Sequence, residues 1–278
     1  MAPTPLAGRP HNELMEPRVL QLDDRGAGDA LVLVPGGLTG WLSWVPHQER
    51  LVSRHRVIRV QPIHNQLGAQ GMPGDSGYTA EIERESLRLT LDALDLERPH
   101  LAGWSGGGLA LVEFAIEYPE RVRSLTLVEP AAYWVLARLG ERVAEVDASN
   151  GFVHGLFGRE VSEDELATFL RLGGLAEPGE DVRSHPNWSR WAEHRATLSW
   201  LSPLLDHPER SIDDLGRIAA PTLVTKGTNS TPVDRRLVDV LGERLPDAPV
   251  REFGGDHAHH IEQIDAFLEA LEVHLAQA

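Results

Sequence analysis

A serine hydroxyl, an imidazole and a carboxylate can together cleave an acyl bond if the chain holds them within hydrogen-bond reach. This sequence offers one serine in the setting such chemistry needs, Ser105 in the run Gly103, Trp104, Ser105, Gly106, Gly107. A G-x-S-x-G serine sits on a sharp strand-to-helix turn that exposes its Oγ above a sheet, and only small residues around it leave room for that turn. The free N–H groups at the start of the following helix stand behind the hydroxyl, where charge developing on a substrate oxygen can be met. A serine hydroxyl is a poor nucleophile near neutral pH, so a base must take its proton and a third group must orient the base. His257, in the loop Gly254, Gly255, Asp256, His257, is the best base; His259 and His260 compete by proximity but fall in a helix.

The acid has three candidates. Glu129 directly follows the apolar run 125–128, where a carboxylate has little reason to stand unless something at the sheet edge uses it. Asp234 lies in the first turn of a helix, where an acid is commonplace. Asp256 adjoins His257 in sequence, which points the two side chains apart. Glu129 is therefore preferred, with Asp234 next. An oxyanion hole needs two aimed N–H donors; Gly106 supplies one, and Gly37, in the glycine turn 35–40, is the natural second. Asp256, His257, His259 and His260 also belong to metal-binding residue types, but their spacing matches no familiar zinc signature, so no metal and no cofactor is expected.

These residues must be carried by a sheet whose strand ends converge. Continuous apolar runs at 31–34, 125–128 and 221–225 read as buried strands, joined by 56–60, 250–253 and the strand that leads into Gly103. An edge strand is expected from Val19, Leu20 and Leu22, followed by a turn over 23–29. Helical periodicity marks 46–53, 78–96, the stretch after Ser105, 233–245 and one closing helix over 261–271. Strands alternating with helices predict an α/β fold with a mostly parallel sheet covered on both faces. The segment 61–77 reads as a long loop beside a strand end, and His64 within it as a solvated residue without a role. No strand pattern appears over 131–214, which reads as a helical cap inserted into a core formed by 18–130 and 215–278. The cap gathers Trp134, Trp188, Trp191, Trp200, Phe152 and Phe157, so an apolar acyl or aromatic pocket is expected, with Trp104, Leu38 and Trp134 touching substrate.

Composition narrows the rest. A formal net charge of −16 would repel nucleic acid and anionic membrane surfaces, so neither is an expected partner. Absence of cysteine removes disulfides, thiolate zinc sites and a cysteine nucleophile together. Residues 1–17 are rich in Pro and lack an apolar stretch; they read as a flexible lead-in, not a signal peptide, and no apolar run approaches the ~20 residues of a membrane span, so the cytoplasm is the expected compartment. A homodimer is left open.

With these residues in place, the chain resembles the α/β-hydrolase family, and the match runs over nearly everything outside the lead-in and the insertion. The resemblance is carried by the glycine turn 35–40, G-W-S-G-G at 103–107, P-E-R-V-R-S-L-T-L-V-E-P at 119–130, P-T-L-V at 221–224 and G-G-D-H at 254–257. It implies Ser105 as nucleophile, His257 as base, Gly37 and Gly106 as oxyanion donors, and 131–214 as cap. Three departures stand out. Pro35 replaces the family's usual His, and Gln61 to Asn65 replace its D-x-R-G-x-G pattern. Ser230 stands where the family usually places its catalytic Asp. Some members carry the acid after the preceding strand, the place of Glu129, in agreement with the local reading. The resemblance implies a serine hydrolase of a small ester, lactone or related acyl compound. It leaves open C–C bond hydrolysis, peracid formation, cyanohydrin cleavage, or ligand binding without turnover; epoxide hydrolases and dehalogenases are disfavoured because they carry Asp at the place of Ser105.

Overall fold

Leu31 and Leu33 pack to one side of the central sheet, and Val32 and Val34 to the other, which is why a continuous apolar run forms a strand buried on both faces. The structure, a computed structural model, describes residues 15–141, 143–176, 179–205, 207 and 209–278. Of the lead-in expected over 1–17, residues 1–14 lie outside the described residues.

Seven strands form one sheet: β1 (Gln21–Arg25), β2 (Ala30–Val34), β3 (Arg56–Gln61), β4 (His100–Trp104), β5 (Ser124–Val128), β6 (Thr222–Gly227) and β7 (Val250–Phe253), in the order β1-β3-β2-β4-β5-β6-β7. Only β1 is antiparallel to its neighbour. The chain leaves β2 toward β3 and returns to its other side as β4, so a crevice opens at the carboxyl ends of β2 and β4. The glycine turn and the Ser105 turn begin there. Helices α1 (Val45–Leu51) and α11 (Ile264–Ala276) cover one face through Leu51, Phe267 and Leu271. Helices α3 (Ala80–Ala93), α4 (Gly106–Glu117) and α9 (Pro232–Arg244) cover the other through Leu91, Val112 and Leu237.

Three sequence expectations need correction. The first strand starts at Gln21, not Val19, because the N–H groups of Arg18 and Leu20 donate to the hydroxyls of Ser86 and Thr90 on α3. It also takes up the first three residues of the expected turn, ending at Arg25, held to β3 by the ion pairs of Asp23 with Arg59 and Asp24 with Arg56. The supposed loop 61–77 contains helix α2 (Ile63–Ala69), anchored by buried Ile63 and Leu67. It packs so closely on the 3₁₀ segment Arg195–Trp200 that a Cβ on Gly68 would lie 2.4 Å from the Thr197 Cα. The closing helix is two: α10 (His259–Glu262) ends at Gln263, where ψ of 43° interrupts the helical path before α11.

Between β5 and β6 lie α5 (Trp134–Arg138), α6 (Ala144–Leu156), α7 (Glu163–Leu172) and α8 (Trp188–Glu193), with no strand among the described residues. This segment has its own apolar cluster, including Leu156, Leu166, Leu170 and Leu198, which also takes in Leu38 of the glycine turn. A capping box of Ser162 and Glu165 starts α7. Among the described residues no helix is long and apolar enough to cross a membrane.

Candidate active site

Ser105 occupies the one position between β4 and α4, with φ 53° and ψ −118°. A side-chain-bearing residue at positive φ is held there only when its surroundings over-determine it, at a cost of about 1–3 kcal/mol. The surroundings are visible: Ser105 N–H donates to Val128 O at 2.9 Å, and Ser105 O accepts from Leu109 N–H and Ala131 N–H, both at 3.0 Å. The glycines are required sterically, since a Cβ on Gly107 would lie 2.4 Å from the carbonyl oxygens of Val34 and Pro35. Glu129, directly beyond β5, is also at positive φ, 37°, one of four such non-glycine residues among those described, with Asp95, Ser105 and Asp247. The turn thus swings its side chain along the sheet edge toward β6.

There the carboxylate is fully engaged. Glu129 Oε2 lies 2.7 Å from His257 Nδ1. Oε1 accepts from Gly227 N–H at 2.7 Å and from the Ser230 hydroxyl. Glu129, His257 and Ser230 are all buried. Burial pulls the His257 imidazole down, but the hydrogen bond and charge of Glu129, with Asp234 and Asp256 nearby, outweigh it and hold His257 above its ordinary value. Burial works to raise Glu129, yet His257 first, then His259 and Ser230, hold its carboxyl below the usual range.

Asp234 also approaches His257, but both its oxygens are taken by hydroxyls, Oδ1 by Tyr133 and Oδ2 by Thr231, each at 2.5 Å. Burial raises its pKa, with the charge of Glu129 adding to the rise against that of His257. His259 is committed to Thr225 Oγ1 and to the Asp256 carbonyl. His260 is fully buried between Trp44, Trp104 and Phe267 with neither nitrogen hydrogen-bonded. The neighbouring histidines therefore do not converge as metal ligands. Ligand atoms of Glu129, Asp234 and His257 do lie within 4.8 Å of one another, but the carboxylate oxygens of Glu129 and Asp234 already accept from N–H and O–H donors. A second such group, Glu113, His207 and Glu209, has the Arg210 guanidinium on Glu113 at 2.7 Å, a cation where a metal would sit.

Ser105 and His257 line one cavity of about 110 Å³, together with Gly36, Gly37, Leu38, Trp104 and Gly106. Gly37 N lies close to Gly106, 3.7 Å from where a Cβ on that residue would be, so the two expected oxyanion donors are neighbours. Phe169, Leu172 and Leu201 from the helical segment close the apolar side. Trp104 supports the base as well, its indole N–H donating to the His257 carbonyl at 2.8 Å.

Some expected contacts are absent from this cavity. Trp134 does not line it; the preceding residue, Tyr133, does. The segment's tryptophans are used elsewhere. Trp200 is buried against Tyr78 and donates to Met72 O, and Trp191 faces a separate groove beside Trp104. His64 is 5% exposed, not solvated, and binds Glu83 and Tyr78. Ser230 was legible only as a departure from the family pattern; its bond to Glu129 is a role that nothing near it in the sequence signals.

Residues 29–264 match the family described as alpha/beta hydrolase fold. The chain is 30% identical over 273 residues to the "Putative carbamate hydrolase RutD" of Azorhizobium caulinodans, covering 91% of this chain and 93% of that protein. It is 30% identical over 264 residues to a 2-hydroxy-6-oxo-6-phenylhexa-2,4-dienoate hydrolase of Burkholderia cepacia, covering 89% and 88%. Among solved structures, an esterase from Exiguobacterium antarcticum superposes with a TM-score of 0.73 over 92% of this chain and 95% of that one, at 19% identity, a likeness of fold alone. These relatives support hydrolase activity. A family match across most of the chain, carried by the same strand-turn-helix that strains Ser105, makes this protein a member of the alpha/beta hydrolase fold family.

Proposed function

We propose that the protein is a serine hydrolase of small acyl substrates, carboxylic esters or lactones foremost, with Ser105 as nucleophile, His257 as general base and acid, and Glu129 as the group that orients the imidazole. The observation that carries this reading is the bond between His257 Nδ1 and Glu129 at 2.7 Å in a residue that shares a cavity with Ser105. With its Nδ1–H donating a hydrogen bond to Glu129, the neutral imidazole presents Nε2 as the acceptor for the serine proton. Attack on the carbonyl carbon forms the Ser105 ester bond as the proton passes to His257. The N–H groups of Gly37 and Gly106 stabilise the oxyanion, and His257 returns the proton to the leaving alkoxide. Water, deprotonated by His257, then attacks the acyl carbon; the bond to Ser105 Oγ breaks, His257 returns the proton to Ser105, and the acid leaves. Residues 131–214 serve as the cap that keeps the apolar part of the substrate from solvent.

Release of 4-nitrophenol from short-chain 4-nitrophenyl esters, abolished in Ser105→Ala, is the expected result. Full activity in that variant would overturn the reading. The Burkholderia relative favours a second one: a 2-hydroxy-6-oxo-dienoate contains no ester, so its hydrolysis must break a carbon–carbon bond. Turnover of such a diketone-like compound together with failure on every activated ester would move that reading ahead.

A further inference from the structure

A second, smaller cavity of about 40 Å³ lies behind the Ser105 turn, walled by the ends of β2 and β3 and by α2, α3 and α4. Gly106, Leu109 and Leu204 line both cavities, so the two are neighbours at the residue that follows the nucleophile. Its walls are mostly apolar, but His64 and Glu83 meet there. Glu83 Oε1 accepts from the His64 backbone N–H at 3.0 Å, from His64 Nδ1 at 2.9 Å and from the Tyr78 hydroxyl. That fixes one edge of the imidazole. The opposite nitrogen, Nε2, is buried and makes no hydrogen bond. Elsewhere on the wall Glu113 Oε2 accepts from Arg210 and His207 Nε2 pairs with the Leu204 carbonyl at 2.8 Å, while Glu113 Oε1, 3.5 Å from His207 Nδ1, and Arg84 Nε are buried without a hydrogen-bond partner, further polar atoms that an occupant could meet.

A buried imidazole nitrogen without a partner costs stability unless something fills the site. The space exceeds that of a single water and would take a hydroxyl with its carbon. A hydroxyl both donates and accepts, so it pairs with Nε2 in either state of that nitrogen, whereas a methyl pairs with neither. Because the cavity touches Gly106, whose N–H would hold the carbonyl oxygen, the hydroxyl must sit within a few bonds of the reacting carbon. We infer that this cavity is a subsite for a hydroxyl on carbon 2 or 3 of the acyl group, read by His64 Nε2. The inference rests on the acyl-transfer reading above and specifies its substrate class as short hydroxyacyl esters.

The test compares 4-nitrophenyl esters of butanoic, 2-hydroxybutanoic and 3-hydroxybutanoic acid on wild type, His64→Phe and His64→Gln. One hydroxy ester should exceed the parent in kcat/KM by about tenfold or more, the effect of one hydrogen bond in a buried site. In His64→Phe the ratio of hydroxy ester to parent ester should fall to within about twofold, whatever the absolute rates; His64→Gln, which retains a donor and an acceptor, should keep part of the preference. Equal rates on all three esters in the wild type would mean that the cavity holds water only, and a preference surviving His64→Phe would place the recognition elsewhere; either result overturns the subsite. Hydrolysis of the esters that persists in Ser105→Ala would instead remove the nucleophile reading.

Discussion

Replacing Glu129 by Gln changes one atom and should remove most of the activity. Both groups at Oε1, Gly227 N–H and the Ser230 hydroxyl, donate, so the amide oxygen of Glu129→Gln must take that place. The amide NH₂ is then left facing His257 Nδ1. Two donors cannot share a hydrogen bond, so Nδ1 must become the acceptor and the ring proton moves to Nε2, which can no longer take a proton from Ser105. The variant also lacks the charge that steadies the imidazolium formed during attack. Opposite charges 2.7 Å apart attract by about 6 kcal/mol at an effective dielectric constant of about 20. Allowing for relaxation, a fall in kcat of about 10³ to 10⁴, or roughly 4–5.5 kcal/mol, is expected. Steady-state release of 4-nitrophenol measures it, and circular dichroism with a thermal melt confirms that the variant is folded. A folded Glu129→Gln within tenfold of wild type, with Asp234→Asn a thousandfold slower, would transfer the orienting role to Asp234.

Further consequences can be checked with the same assay. Ser230 already touches Glu129 Oε1, so a carboxylate placed there would reach the same region: Glu129→Gln/Ser230→Asp should recover at least tenfold over Glu129→Gln alone, and no recovery would show that the backbone at 230 cannot aim a carboxylate at His257. Since His257 is held above the ordinary histidine value of 6.5, its base form appears late, and kcat/KM should rise with pH through a midpoint above 6.5; in Glu129→Gln residual activity should show this limb displaced downward. The buried pair of Glu113 on α4 with Arg210 ties the nucleophile helix to the segment before β6, so Glu113→Ala should cost about 3–5 kcal/mol in a denaturant melt. Burial works to raise Glu113, but His207 and Arg210 hold it below 4.5. Its contribution is therefore present above pH 4.5 and lost as pH falls through the depressed folded value, and acid should destabilise wild type more steeply than Glu113→Ala.

The parts legible from sequence were those that local chemistry fixes. Small residues at 103, 106 and 107 are demanded by contacts within one strand-turn-helix unit, so Ser105 could be placed from its neighbours alone. Glu129 was readable because a carboxylate ending a buried apolar run is costly without a partner. What stayed hidden depends on contacts distant in sequence. His64 looked solvated because α2 is short and polar; its side chain is enclosed with Tyr78 and Glu83, beyond the helix, while Gly68 at the other end of α2 packs on residues 195–200, far along the chain. Tyr133 faces the cavity and Trp134 does not because α5, five residues long, carries too little periodicity to fix its rotation. The helical segment's tryptophans suggested a pocket by number, yet Trp200 completes the core beneath α2 and Trp191 a separate groove, a choice made by the packing of helices joined by irregular loops.

Intact-mass analysis after exposure to a fluorophosphonate tests the central claim most directly, because it asks whether Ser105 is activated without reference to any substrate. One adduct on the wild type is predicted, absent in Ser105→Ala, formed much more slowly in Glu129→Gln and at a near-normal rate in Asp234→Asn. An unlabelled wild type, or an adduct that persists in Ser105→Ala, would contradict it.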